Sequence, residues 1–229
     1  MPRRARIILP GLPHHVTQRG NRRQETFFGA EDYALYLELL TRHSSALGVA
    51  CWAWCLMPDH LHLVLVPPEA ASLAALMQRV HQAYARHINA REGWSGCLWQ
   101  GRFASYAMDE AHALAAVRYV ELNPVKVRLC ARADDWPWSS AAAHLDGRFD
   151  PLLARPAFLE RIPDWAHYLD TGLDPAIEAR VGLFDGPGYP MGEADWLGRQ
   201  EMRFGQSLRP RPRGRPKRKS TSRSDSNSK

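Results

Sequence analysis

The sequence predicts an α+β fold: a ferredoxin-like split βαβ sheet carrying one added helix, followed by a C-terminal helical extension and a basic tail. Three observations predict it. Short runs of branched and aromatic residues alternate with runs of helical periodicity, in the order strand, helix, strand, strand, helix, strand, helix. The middle two strands are joined by Pro58-Asp59, which is good turn chemistry for a hairpin. The 229 residues are 45% hydrophobic and 24% charged, a composition able to bury a core and far from that of a disordered or membrane chain.

Each element has its own signal. His14 to Arg19 reads as a short strand, closed by a polar turn through Gly20, Asn21 and Arg22. From Glu31 to Leu47 the apolar residues Tyr33, Leu37, Leu40 and Leu47 recur at helical spacing, and Gly48 stops the run. Val49 to Leu56 and His60 to Val66 form the hairpin, and Pro67-Pro68 closes it. A second helix spans Ser72 to Asn89, with Leu73, Leu76, Met77, Val80 and Tyr84 on one side. A loop from Gly93 to Gly101 leads to a strand over Arg102 to Ala107. Asp109 then caps a third helix reaching about Leu122, where Asn123-Pro124 is expected to end it. Beyond Cys130 the pattern weakens to a short helix near Ser139 to Leu145, then helical pieces broken by Pro and Gly.

This divides the chain into a main α+β domain over 1–147, a helical extension over 148–206 and a tail over 207–229. The net charge is +6, but its distribution says more than its size. The tail alone carries a net +8, from nine Lys or Arg against Asp225, leaving the first 206 residues at −2. A nearly neutral body with a basic arm points to a polyanionic partner. No segment approaches the roughly 18 apolar residues of a membrane span, and no apolar stretch follows Arg3, Arg4 and Arg6 as in an export signal. Cys51, Cys55, Cys97 and Cys130 include no C-x-x-C pair, and Cys51 and Cys55 lie inside an apolar run, so those two are expected to be buried free thiols and no disulfide or zinc framework is expected. The expected location is a reducing cytoplasm, associated with the nucleoid.

The sharpest local signal is His60-Leu61-His62. In a strand, residues i and i+2 share a face, so the two imidazoles converge while Leu61 points into the opposite layer, and two such rings can share a metal ion. Taken alone, the pair also fits a half-exposed strand with surface histidines. Tyr119 and Asn123, spaced i, i+4, lie about one turn apart on one face of the third helix. Singly, they read as a core tyrosine and a helix-end residue before Pro124. If that helix lies over the histidine strand, they bring a phenol and an amide to the same ion.

Four motifs in order, HVTQRGNRRQ at His15 to Gln24, WCLMPDHLHLVLVP at Trp54 to Pro67, LWQGRF at Leu98 to Phe103 and RYVELNPVK at Arg118 to Lys126, resemble the REP-associated tyrosine transposases. These are members of the single-tyrosine HUH transposase superfamily, and the resemblance covers roughly Pro13 to Gly147. It implies a DNA endonuclease and strand transferase acting on single-stranded DNA. His60 and His62 would hold Mg²⁺ or Mn²⁺, and Tyr119 would attack a backbone phosphate to give a 5′-phosphotyrosyl enzyme and a free 3′-hydroxyl. Asn123 stands where related enzymes place a further metal ligand, and is shorter than the glutamine of some of them. The implied partner is DNA bearing REP-like hairpins, bound by a monomer or a homodimer.

Arg19, Asn21, Arg22 and Arg23 after the first strand, with Gln100 and Arg102 beside Trp99, supply donors and an aromatic ring suited to unpaired DNA. In the tail, the stretch from Arg211 to Lys217 resembles an AT-hook. There Arg213, Gly214, Arg215 and Lys217 would lie in a narrow A·T minor groove. Two other functions fit parts of the pattern. One is a non-cleaving single-stranded nucleic-acid-binding protein on the same sheet. The other is a metal-dependent phosphoesterase of small nucleotides, although a third alternating histidine is missing because Val64 follows Leu63.

Overall fold

Four strands, β1 (His14–Arg19), β2 (Ala50–Met57), β3 (His60–Val66) and β4 (Ala104–Ala107), pair antiparallel in the order β2-β3-β1-β4. That order, with helices α1 (Ala30–Leu47) and α2 (Ala70–Glu92) as the two crossovers, is the expected split βαβ arrangement. The structure, a computed structural model, describes residues 6–210 apart from 155, 157, 158, 160, 161, 173, 174 and 183–187. The AT-hook-like stretch therefore lies outside the described residues.

Alternation along the strands sorts the side chains into two layers. Val16, Leu61, Leu63 and Leu65 face α1 and α2, where they meet Tyr36, Leu40, Leu76, Met77, Val80 and Tyr84. Ala53, Cys55, Met57, Val64 and Tyr106 face the other way, against helix α3 (Glu110–Lys126). The two β2 cysteines are buried free thiols, as expected. Gly48 stops α1 at φ 64, a left-handed turn that suits a residue without Cβ.

Among the strands and the first three helices, three elements have bounds that depart by two residues or more from the sequence reading, each for a physical reason. The third helix does not end at Asn123-Pro124 but continues to Lys126 with Pro124 inside it. Proline in the last turn forfeits only its own N–H bond, and the Val127 and Leu129 amides still bond back to the Asn123 and Pro124 carbonyls. The final strand begins at Ala104 rather than Arg102. Between the Gly20–Trp99 bridge and the Thr17–Ala104 pair, β1 contributes Gln18 and Arg19 while the opposite chain contributes Gln100 to Phe103, so the edge bulges outward. α2 extends at both ends beyond the expected helix, starting right after Glu69 and stopped only by Gly93, whose left-handed φ of 64 closes the last turn as its amide bonds back to the Asn89 carbonyl.

Past α3, helices α4 (Ala141–Asp146), α5 (Trp165–Asp170) and α6 (Pro175–Val181) return to the α3 face, while α7 (Ala194–Phe204) packs with the N-terminal segment around Ile7 and Leu9. Trp165, Leu169 and Val181 join the apolar cluster of α3, and Leu208 packs with Ile7, Leu9 and Ala107. Glu121 ties the extension to α3: fully buried, it accepts from Ser140, His144 and Trp165. Among the described residues, no helix is long and apolar enough to cross a membrane.

Candidate active site

The four residues singled out as a site come together. β3 turns His60 and His62 toward α3, with ring centroids 5.1 Å apart and planes nearly perpendicular. α3 crosses this face so that the Tyr119 ring stands edge-on to His62 at 5.4 Å. One turn later, Asn123 Nδ2 lies 3.2 Å from His62 Nε2 and also hydrogen-bonds the Tyr119 hydroxyl. The i, i+4 spacing on α3 and the i, i+2 spacing on β3 are thus the two rulers that build the cluster.

The sequence reading missed two members. His15, from β1, stacks on His62 with centroids 5.2 Å apart and planes 8° from parallel; its Nε2 is 3.0 Å from His62 Nδ1. Only the strand register reveals it, because His15 pairs with Val64 and Thr17 with His62, placing His15 diagonally beside His62 on the same face. Asp59, read only as turn chemistry, sets Oδ1 2.5 Å from His60 Nδ1.

Burial dominates the electrostatics. His62 is held well below the ordinary histidine range by desolvation first and then by its cationic and imidazole neighbours, and burial takes His15 down to about 3. Asp59 is lowered, first by its hydrogen bond to His60. The Tyr119 phenol is raised, with burial the largest cause; the hydrogen bond from Asn123 and the charge of Arg19 oppose it, while Glu178 adds to it. Near neutral pH the centre therefore holds neutral His15, neutral His62 and an un-ionised phenol.

Among the described residues, no group of three or more His, Cys, Asp or Glu is arranged to hold an ion. The set that fits is two imidazoles and the Asn123 carboxamide. Asn123 presents Nδ2 to His62 Nε2 at 3.2 Å, so its carboxamide would have to turn Oδ1 toward that nitrogen to share an ion with the ring. Such a neutral, partial donor set suits Mg²⁺ or Mn²⁺ completed by phosphate oxygens.

The expected DNA contacts are placed unevenly. Arg22, Arg23, Gln100 and Arg102 are exposed, and Arg19 and Asn21 are half-buried. Gly20 holds their turn in place: a Cβ there would lie 2.3 Å from the Gln24 carbonyl oxygen. Arg102 and Arg6 line a cavity of about 330 Å³ beside Gln18 and α2. Trp99 is not an open stacking platform, as it is buried against Phe27, Tyr36, His81 and Tyr84. The loop folds onto α2, so its indole serves the core. Arg213, Gly214, Arg215 and Lys217 lie outside the described residues.

Helix α6 covers the tyrosine. Lys126 stands over the Tyr119 ring at 4.4 Å and pairs with Glu178, and a Cβ on Gly182 would lie 3.3 Å from the Tyr119 hydroxyl.

Comparison with known proteins bears on the family and the fold. Residues 10–123, which include all six residues of the cluster, match the family model described as Transposase IS200 like. A Haemophilus influenzae protein named REP-associated tyrosine transposase is 29% identical over 99 residues, covering 38% of this chain and 56% of that protein. The chain thus spans little more than half the length of this curated relative. A solved structure of a REP-associated tyrosine transposase bound to a REP hairpin superposes with TM-score 0.55 at 21% identity, over 68% of this chain and 93% of that one. At that identity the likeness establishes the fold.

Proposed function

Because its residues 10–123 place this chain in the IS200-like transposase family, we propose that it cleaves and rejoins single-stranded DNA next to hairpins of the REP type, using Tyr119 as the nucleophile. The observation that carries this reading is the convergence of Tyr119, Asn123 and His62, with His60 at the rim. The solved relative bound to a REP hairpin supports the choice of DNA.

The phenolic oxygen of Tyr119 attacks a backbone phosphorus, the P–O3′ bond breaks, and a proton passes to the departing 3′-oxygen. The product is a 5′-phosphotyrosyl enzyme. Attack by a 3′-hydroxyl reverses the exchange, so strands rejoin with no external energy source. Ionising a phenol of pKa near 10 at pH 7 costs about 4 kcal/mol, and burial of Tyr119 adds to that. Asn123 lowers the cost by donating to the phenolic oxygen, and Arg19 by its positive charge. His60, His62 and Asn123 would hold Mg²⁺ or Mn²⁺, which when bound polarises the phosphate as a Lewis acid and offsets charge on the leaving oxygen. Arg22, Arg23, Gln100 and Arg102 are the exposed groups available to the DNA backbone.

The test is incubation of the full chain with a labelled hairpin oligonucleotide and Mn²⁺. A covalent protein–DNA adduct that Tyr119→Phe abolishes is expected; an adduct that survives the substitution refutes the assignment. The second reading, a hairpin binder that does not cut, draws on the cover that α6 makes over Tyr119. It predicts binding with no adduct under any metal.

A further inference from the structure

We infer that His15 is a positioning residue that keeps the proton of His62 on Nδ1 and so leaves His62 Nε2 bare, facing Asn123 and Tyr119. The inference rests on the site reading above, to which it adds a residue and a proton location.

A neutral imidazole has one N–H and one bare nitrogen, so a hydrogen bond between two neutral imidazoles fixes both tautomers together. The 3.0 Å contact between His15 Nε2 and His62 Nδ1 allows two senses. In one, His62 Nδ1–H donates to His15, and His62 Nε2 is an acceptor. In the other, His15 donates, and His62 Nε2 carries a proton. Asn123 decides between them. It turns Nδ2, a donor, toward His62 Nε2 at 3.2 Å; a protonated Nε2 there would set one donor against another in a fully buried place. The first sense satisfies both contacts. It puts the remaining His15 proton on Nδ1, which is buried without a partner in good hydrogen-bond geometry and has the Val181 main chain as its polar neighbour.

His60 shows the same device with a different acceptor. Its Nδ1 lies 2.5 Å from the Asp59 carboxylate, which accepts the Nδ1 proton, so that in the neutral ring Nε2 is the nitrogen without one. Both histidines are thus held in one tautomer, as metal-binding histidines require. The difference follows from burial. His60 sits at the rim beside a partly exposed Asp59, whereas His62 is fully buried, where an unneutralised carboxylate would lose its hydration. A neutral imidazole does for His62 what a carboxylate does for His60.

The experiment is long-range ¹H–¹⁵N correlation spectroscopy of the full chain without metal, near neutral pH, followed by Mn²⁺ titration read by electron paramagnetic resonance. The expected result is His62 in the Nδ1–H form. In His15→Phe, which keeps a stacked ring but removes the acceptor, that signature is lost and Mn²⁺ affinity falls about 10- to 100-fold. Asp59→Asn lowers Mn²⁺ affinity without changing the His62 signature. Finding the His62 proton on Nε2 in the unmodified chain overturns the inference, whatever the variants do. So does an unchanged Mn²⁺ affinity in a folded His15→Phe protein. A His62 Nδ1–H signature in a chain that takes up no Mn²⁺ would leave the inference standing and refute the metal reading of the site.

Discussion

Replacing Glu121 by glutamine tests whether the setting of α3, and hence of Tyr119, depends on a buried carboxylate rather than on apolar packing alone. Glu121 is fully buried; it accepts from Ser140 Oγ at 2.7 Å, from Trp165 Nε1 at 2.8 Å and from His144 Nδ1. Each hydrogen bond to an ionised group contributes about 1.5–3 kcal/mol, and three sharing one carboxylate are not additive. Glutamine keeps the shape but sets an amide NH₂ against a donor, so the net loss should be that of breaking a buried charged cluster, about 3–5 kcal/mol. Urea unfolding should show that loss at an unchanged slope, and the melting temperature should fall by roughly 6–20 °C for a chain of this size. Ser140→Ala should also destabilise, because the same hydroxyl accepts from the Trp54 amide at 3.1 Å. A loss below about 1 kcal/mol for Glu121→Gln would refute the reasoning and leave α3 held by its apolar contacts.

Acid should unfold the protein through its buried histidines, those outside the site included. Burial lowers His14 to about 4 and, with help from Arg6, His81 to about 3. The unfolded chain takes up protons below about pH 6.5 that the folded chain refuses, so this stability is complete above that pH and lost as the pH falls. His14 and His81 should account for about 4 kcal/mol of the stability lost between pH 7 and pH 5, and the lowered His15 and His62 should add to it, so urea titration at each pH should show a loss of at least that size. Gly20→Ala should destabilise and weaken hairpin binding in a mobility shift, since its Cβ would strike the Gln24 carbonyl at 2.3 Å. Deleting residues 207–229 should flatten the salt dependence of single-strand binding by about 3.5 units if about five of the arm's charges meet phosphates, and an unchanged slope would exclude that role. Arg102→Ala should reduce hairpin affinity in the same assay and leave the melting temperature within about 2 °C, because the side chain is exposed.

The parts of this fold legible in the sequence were those set by short-range periodicity. His60 and His62 share a face because a strand repeats every two residues, and Tyr119 and Asn123 because a helix repeats every 3.6. Asp109 was recognisable as a cap and does accept from the His112 amide. What stayed hidden depended on pairing between distant segments. His15 joins the site only through its register against β3, and Asp59 looked complete as a turn residue. The outward bulge after Trp99 shortened β4, and the collapse of that loop onto α2 made Trp99 a core residue. Helix α6 lies across Tyr119, and nothing in the local pattern of residues 175–181 announces it.

The alternation of β1 makes the sheet its own proofreader. Val16 sits among leucines on one side, while His15 and Thr17 occupy the other. A slip of one place against β3 would deliver an isopropyl group to the spot meant for an imidazole and sink His15 into the aliphatic layer. A chain paired out of step would thus lose its hydrophobic seal and its ring stack in the same stroke, so a competent centre assembles only in a correctly zipped sheet.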